Sequence, residues 1–149
     1  MKKLSETYKE LGIAFTFPIQ IKDFNGKTTY YEDSHGSWHK YEYNSNGKMT
    51  YQENIYGSWY RNEYDSKGNQ TYHETSTGFW YKYEYDAFGN QTYHENSNGY
   101  WCKNEYDSKG NVTYHETSHG NKRGTPRSQS CDGKVVEVDG IKYELKLKN

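Results

Sequence analysis

The chain repeats itself every 21 residues, and that odd period constrains the fold more than any other feature of the sequence. Glycine stands at 26, 47, 68, 89 and 110, and again at 36, 57, 78, 99 and 120. Trp38, Trp59, Trp80 and Trp101 keep the same step, as do Thr29, Thr50, Thr71, Thr92 and Thr113, each followed by Tyr. The array ends where Lys122 occupies the next Trp position. Units of this size bury little surface alone and are stabilised by stacking on their neighbours.

Each unit holds two runs rich in Tyr, Trp and Thr, cut by clusters of Asp, Ser, Asn, Lys and Gly. Such runs form strands joined by tight turns, so each unit is expected to be a β-hairpin. Asp65-Ser66-Lys67-Gly68 suits a type I turn closed by a left-handed glycine, and Thr75-Ser76-Thr77-Gly78 and Asn96-Ser97-Asn98-Gly99 carry the same chemistry in weaker form. Side chains alternate faces with a period of two, so an odd repeat would send Trp59 and Trp80 to opposite sides if all turns were alike. The expectation is therefore that the two loops differ by one residue, a bulge absorbing the odd count. The tryptophans then form one column. A bulged turn would pair Tyr64 with Gln70 and Asn62 with Tyr72, gathering a face of tyrosines.

Composition agrees with a ladder of this kind. The 149 residues include only thirteen Ile, Leu and Val but 18 Tyr, 5 Phe and 4 Trp. An ordinary aliphatic core is excluded, and so is disorder, which needs few aromatics and a large net charge where this chain has a net charge of -1. Most Ile and Phe fall in residues 1–25, read as an N-terminal cap with a short helix over Ser5 to Leu11 stopped at Gly12, and with strands at Ile13 to Phe17 and Ile19 to Lys22. Residues 26–120 are the repeats, 121–133 a basic linker, and 134–149 a β-hairpin around Asp139-Gly140. The fold class is all-β: tandem hairpins in an elongated, twisted antiparallel sheet. No apolar run reaches the ~18 residues of a membrane span and no signal peptide is apparent, so the expected location is cytoplasmic. Cys102 and Cys131 read as free thiols.

Tyr72-His73-Glu74 and its copies at 93 to 95 and 114 to 116 invite a metal or acid-base reading. Neighbours on a strand face opposite ways, however, and equivalent histidines two strands apart lie roughly 9.6 Å from each other. They read as an exposed polar column paired with Lys and Thr; no cofactor, metal or catalytic residue is expected. Trp38, Trp59, Trp80 and Trp101, flanked by Lys40, Arg61, Lys82 and Lys103 and by Glu42, Glu63, Glu84 and Glu105, could stack on sugar rings or anchor a protein. Alternatively, the Lys and Arg stems merely cover the indoles. Residues 23 to 120 hold 14 acidic and 8 basic side chains, which disfavours nucleic acid against the array and suits a basic protein surface. Only the tail, with Lys122, Arg123 and Arg127, could touch a phosphate backbone.

Tyr64-Asp65-x-x-Gly68-Asn69-x-Thr71, Tyr85-Asp86-x-x-Gly89-Asn90-x-Thr92 and Tyr106-Asp107-x-x-Gly110-Asn111-x-Thr113 resemble the YD repeat of the RHS family, over residues 26 to 120. The resemblance implies a solenoid of strands, and in that family the repeats wind into a shell around a toxin. Short chains of near-identical units also resemble small prophage-borne proteins, some of which inhibit host defence systems; that likeness implies an anti-CRISPR-like inhibitor in the host-cell cytoplasm. The expected function is a non-enzymatic scaffold that binds a protein partner. The alternatives are a carbohydrate-binding module on the Trp column and a structural protein that associates edge to edge. Positions departing from the polar consensus, Ile55-Tyr56, Phe79, Phe88, Tyr100 and Cys102, join the tryptophans and the two arginines as binding candidates.

Overall fold

The computed structural model describes residues 3–126 and 135–144. A short helix α1 (Leu4–Lys9) precedes the strands β1 (Ile19–Lys22), β2 (Thr28–Glu32), β3 (Trp38–Tyr43), β4 (Met49–Asn54), β5 (Trp59–Tyr64), β6 (Gln70–Thr75) and β7 (Trp80–Tyr85). These are followed by β8 (Gln91–Asn96), β9 (Trp101–Tyr106), β10 (Val112–Thr117), β11 (Lys122–Gly124), β12 (Val135–Val138) and β13 (Ile141–Glu144). Strand order follows chain order from β1 to β11, while β12 and β13 pair only with each other. The pairings described are antiparallel. Residues 1–83 and 84–149 form two compact units. Among the described residues no helix is long and apolar enough to cross a membrane.

The two kinds of turn do not differ in length. In one, the Asp65 amide donates to the Asn69 carbonyl at 2.9 Å and the Gly68 amide to the Asp65 carbonyl at 3.0 Å. In the other, Thr75 donates to Phe79 at 2.9 Å and Gly78 to Thr75 at 3.0 Å. Gly68 and Gly78 both close the turn in the left-handed region, at φ 85° and 82°, where a Cβ would be strained. The odd residue is absorbed inside the strand instead. The β5–β6 register jumps between Glu63, opposite Tyr72, and Tyr64, opposite Gln70, so Thr71 is the extra residue of a β-bulge. The same jump skips Thr29, Thr50 and Thr113, whereas the β4–β5 and β6–β7 registers run without one. Tyr64 does face Gln70, as expected, but Asn62 faces His73 rather than Tyr72. The bulge lies one residue beyond the turn, so Tyr72 is sent to the tryptophan side and His73 to the tyrosine side.

The repeated motif residues serve this geometry. A bulge interrupts the ladder, and backbone carbonyls beside it need other donors. The tyrosine of the next unit supplies one: Tyr43 Oη donates to the Thr28 carbonyl at 3.0 Å, Tyr64 Oη to Met49 at 3.0 Å and Tyr106 Oη to Gln91 at 2.8 Å. Asp65 Oδ1 accepts the amides of Lys67 and Asn69, and its Oδ2 accepts the Asn69 side-chain amide at 2.9 Å. Asp86 and Asp107 repeat the pattern with Asn90 and Asn111. These hydrogen bonds, led by the Asn side-chain amide, hold all three carboxyls below their ordinary pKa.

The apolar residues collect at the N-terminal cap. Ile19, Tyr30 and Trp38 are buried together, with Leu4 and Phe15 packed against them. Residues 13–17 form no strand. Buried Glu32 accepts from the Ser5 amide at 3.1 Å, the Ser5 hydroxyl and Tyr30 Oη at 2.9 Å. Burial, with the neighbouring carboxylate adding to it, pushes Tyr30 up to about 12. After the last repeat, Lys122–Gly124, expected to lie in a linker, add the strand β11 along β10, tied by a Lys122–Glu116 ion pair of 2.8 Å. Asp139 and Gly140 turn β12 into β13 with positive φ at both positions, 51° and 75°, the signature of a type I′ turn.

Candidate functional site

Cross-strand partners share a face, so the registers assign the paired strand residues of the repeats to one of two surfaces. In the first unit, one surface carries Trp38, Lys40, Glu42, Tyr51, Glu53, Trp59, Arg61, Glu63, Tyr72, Glu74, Trp80 and Lys82. The other carries His39, Tyr41, Tyr43, Met49, Gln52, Asn54, Tyr60, Asn62, Tyr64, Gln70, His73, Thr75 and Tyr81. Every formal charge of strands β3 to β6 lies on the first surface. In the second unit the segregation recurs: Glu95, Trp101, Lys103, Glu105 and Glu116 share one face, while His94, Cys102, Asn104, Tyr106, His115 and Thr117 share the other.

On the charged surface the tryptophans form an oblique row rather than a straight column. Trp59 stands level with Glu53 and Lys40, and Trp80 with Glu74 and Arg61, a stagger of two residues per repeat. Tyrosines and cations fill the steps. Tyr51 stacks on Trp59 with centroids 6.3 Å apart. Lys40 Nζ stands 5.5 Å from the Tyr51 ring centre, the Arg61 guanidinium 5.7 Å from Tyr72 and Lys82 Nζ 5.2 Å from Trp80. Arg61 also pairs with Glu74 at 2.8 Å. Trp38 is sealed under the cap at 3 % exposure, which removes it from any binding row. Trp59, Trp80 and Trp101 remain half-buried.

The irregular residues are scattered by the fold. Tyr56 and Phe88 project from turns at 86 % and 84 % exposure, each at the third position of its turn. Phe79 is exposed beside Tyr81, with centroids 6.5 Å apart. Tyr100 packs between His94 and His119 at 5.8 and 5.5 Å. Cys102 is a buried free thiol, 3.9 Å from His94 Nδ1, and burial raises its pKa. Arg123 lies on β11 opposite His115. Arg127 and Cys131 fall outside the described residues.

The histidines are not a column paired with Lys and Thr. Asn62, 7 % exposed, donates through Nδ2 to the Met49 carbonyl at 3.1 Å, while its Oδ1 accepts from Gln70 at 2.6 Å and meets His73 Nδ1 at 2.8 Å. An amide oxygen can only accept, so the hydrogen of this contact is carried by His73 Nδ1. His115 meets Asn104 Oδ1 in the same way at 2.7 Å. The sequence held a signal for this network: Asn62 and Asn104 alternate with Tyr41 and Tyr83 at one repeat position.

No family model matches the chain, and no curated protein matches it. Solved structures do. A Tc holotoxin pore of Photorhabdus luminescens, carrying a TccC3 mutation, aligns at 16 % identity and a TM-score of 0.52, over 67 % of this chain and 5 % of that one. A TcdB2-TccC3-Cdc42 structure aligns at 16 % identity and a TM-score of 0.51, over 66 % and 5 %. A TcdB2-TccC3-TEV structure aligns at 16 % identity and 0.51, over 79 % and 6 %. The chain thus spans about one-twentieth of the length of these neighbours. The likeness is one of fold, and together with the 21-residue strand pattern it supports a YD/RHS-like repeat.

Proposed function

We propose that the chain is a non-enzymatic repeat scaffold that binds a basic protein surface through its tryptophan face. The observation that carries this reading is the segregation of charge. Carboxylates and half-buried indoles share one face, where Glu42, Glu53, Glu63 and Glu74 outnumber Lys40 and Arg61 across β3 to β6, with Glu42 and Glu63 exposed. Aromatic anchors flanked by acidic side chains suit a partner rich in Arg and Lys, the aromatics contributing contact area and the carboxylates steering the approach. A repeat array of the size and regularity of small prophage-borne inhibitors suggests a class of partner: a component of a host defence system with a positively charged nucleic-acid channel.

The test is capture of partners from a host lysate by the wild-type chain and by a Trp59→Ala/Trp80→Ala variant, followed by association kinetics of the recovered protein at several salt concentrations. The reading expects one stoichiometric basic protein, lost with the double variant, whose on-rate falls several-fold between roughly 50 and 200 mM salt. An on-rate indifferent to salt removes it. The carbohydrate reading rests on the same half-buried indoles, and a shift of tryptophan fluorescence with a neutral glycan panel would favour it instead.

A further inference from the structure

Taking the tryptophan face as a docking surface for a basic protein, we infer that a cleft on it, between β3 and β5, receives an arginine side chain of that partner. The cleft measures about 520 Å³ and is lined by Glu42, Asn44, Thr50, Tyr51, Arg61 and Glu63. Glu42, Tyr51 and Arg61 stand level in one cross-strand row. Glu63 stands in the next row, opposite Tyr72. Thr50 is the extra residue of the β3–β4 bulge, and its short side chain leaves room among the longer ones.

The face already shows how it holds a cation. Lys40 Nζ reaches Glu42 Oε1 at 2.5 Å and stands 5.5 Å from the Tyr51 ring centre. Arg61 reaches Glu74 at 2.8 Å and stands 5.7 Å from the Tyr72 ring centre. At the last strand pair Lys122 meets Glu116 Oε1 at 2.8 Å, while Glu116 Oε2 accepts from Tyr114 Oη at 2.7 Å. Each of these cations takes one carboxylate beside one tyrosine. Glu63 is exposed, and no cation among the described residues pairs with it. Arg61, two residues back on the same strand, turns to Glu74 instead. Of Glu42, Glu63 and Glu74, set against Lys40 and Arg61, Glu63 is therefore the uncompensated carboxylate, and it stands at the cleft.

Chemistry narrows the occupant to a guanidinium. An exposed ion pair alone contributes little, so the walls of the cleft matter. The apolar stem of an arginine can cover the Thr50 methyl and the Tyr51 ring, while its planar fork meets the Glu63 carboxylate through two hydrogen bonds. A lysine ammonium is more strongly hydrated and presents a point charge, so it gains less. A bound divalent cation is excluded by spacing. Glu42 and Glu63 stand on strands two apart, roughly 9.6 Å, whereas the oxygen ligands of one calcium ion each lie within about 2.6 Å of it.

The experiment is an NMR titration of the full chain with a capped tetra-arginine peptide, and with tetra-lysine beside it, at about 150 mM salt so that distant charges are screened. Saturable shifts are expected, largest at the amides of Thr50, Tyr51 and Glu63, with tetra-lysine weaker by at least about threefold. Glu63→Gln should weaken tetra-arginine at least about threefold and leave the urea midpoint unchanged, since no cation of the described chain pairs with Glu63. Glu53→Gln removes the same charge from the same face one row away and should cost less than about 1.5-fold. Equal losses for the two variants, or shifts spread evenly over the face, mean a diffuse field and overturn the cleft. Equal affinity for tetra-lysine overturns the guanidinium. Partner capture from a lysate is read separately. Tetra-arginine bound at the cleft with no basic protein captured removes the reading of the whole face and leaves the cleft. A partner captured equally by wild type and Glu63→Gln, with no response at Thr50 and Tyr51, removes the cleft alone.

Discussion

Replacing Tyr43 by Phe tests whether the motif tyrosine holds one repeat to the one before it. The substitution keeps the ring, and with it the Lys27 ammonium 5.0 Å from the ring centre, and deletes only the hydroxyl that donates to the Thr28 carbonyl at 3.0 Å. A net hydrogen bond contributes about 0.5–1.5 kcal/mol, and a carbonyl left without its donor costs about 1–3 kcal/mol. Thr28 lies beside the Thr29 bulge, so the expected loss is about 1–2 kcal/mol. Tyr64→Phe makes the same deletion one repeat later, but there the Met49 carbonyl keeps a second donor, Asn62 Nδ2 at 3.1 Å. Its expected loss is smaller, about 0.5–1 kcal/mol. Urea unfolding followed by circular dichroism measures both through the midpoint, with the slope unchanged if only stability has moved. Equal losses below about 0.3 kcal/mol, or a larger loss for Tyr64→Phe, would refute the idea that bulge carbonyls recruit these hydroxyls.

Other perturbations follow from the same geometry. Trp38→Ala should cost about 3–5 kcal/mol as a buried-aromatic truncation, and Trp80→Ala, half-buried at the surface, well under half of that; denaturant midpoints rank them. Gly124→Ala would drive a Cβ into the Thr113 carbonyl oxygen at φ +82°, so β11 should detach, seen as lost amide protection at Lys122 to Gly124 with the rest of the sheet unaffected. The lowered pKa values of Asp65, Asp86 and Asp107 mean that these carboxylates stabilise the turns at pH values above the unfolded carboxyl range near 4. That contribution is lost as pH falls through their folded values. Side-chain NMR titration should find all three below the exposed carboxylates, and Asn69→Ala should raise Asp65 alone.

Much of this architecture can be read from periodicity, because turn chemistry repeats at fixed offsets and alternation follows from the strand pleat. The hairpins, the left-handed glycines and the pairing of Tyr64 with Gln70 are all deducible from residues near the turn. The bulge position is not. Parity demands one extra residue per unit, but any residue of the turn or strand could be it, and only the backbone register shows that Thr71 is. That one-residue uncertainty moves Tyr72 and His73 between faces, which is why the histidine environment differs from the expectation and why the neutral face is invisible in the sequence. The burial of Trp38 is hidden for another reason: the cap that covers it lies outside the repeat. Tyr56 and Phe88 stand out in the sequence as irregular, and their exposure accords with that, yet they lie on turns rather than on the strands that carry the tryptophans.

The account rests on the threonine bulge, since it alone places all the charge of β3 to β6 on one surface. Cross-strand NMR contacts test it directly. The bulged register predicts contacts pairing Asn62 with His73 and Glu63 with Tyr72, repeated as Asn104 with His115 and Glu105 with Tyr114. Contacts pairing Asn62 with Tyr72, and Asn104 with Tyr114, would mean that the odd residue sits elsewhere, and the separation of a charged from a neutral face would fall with it.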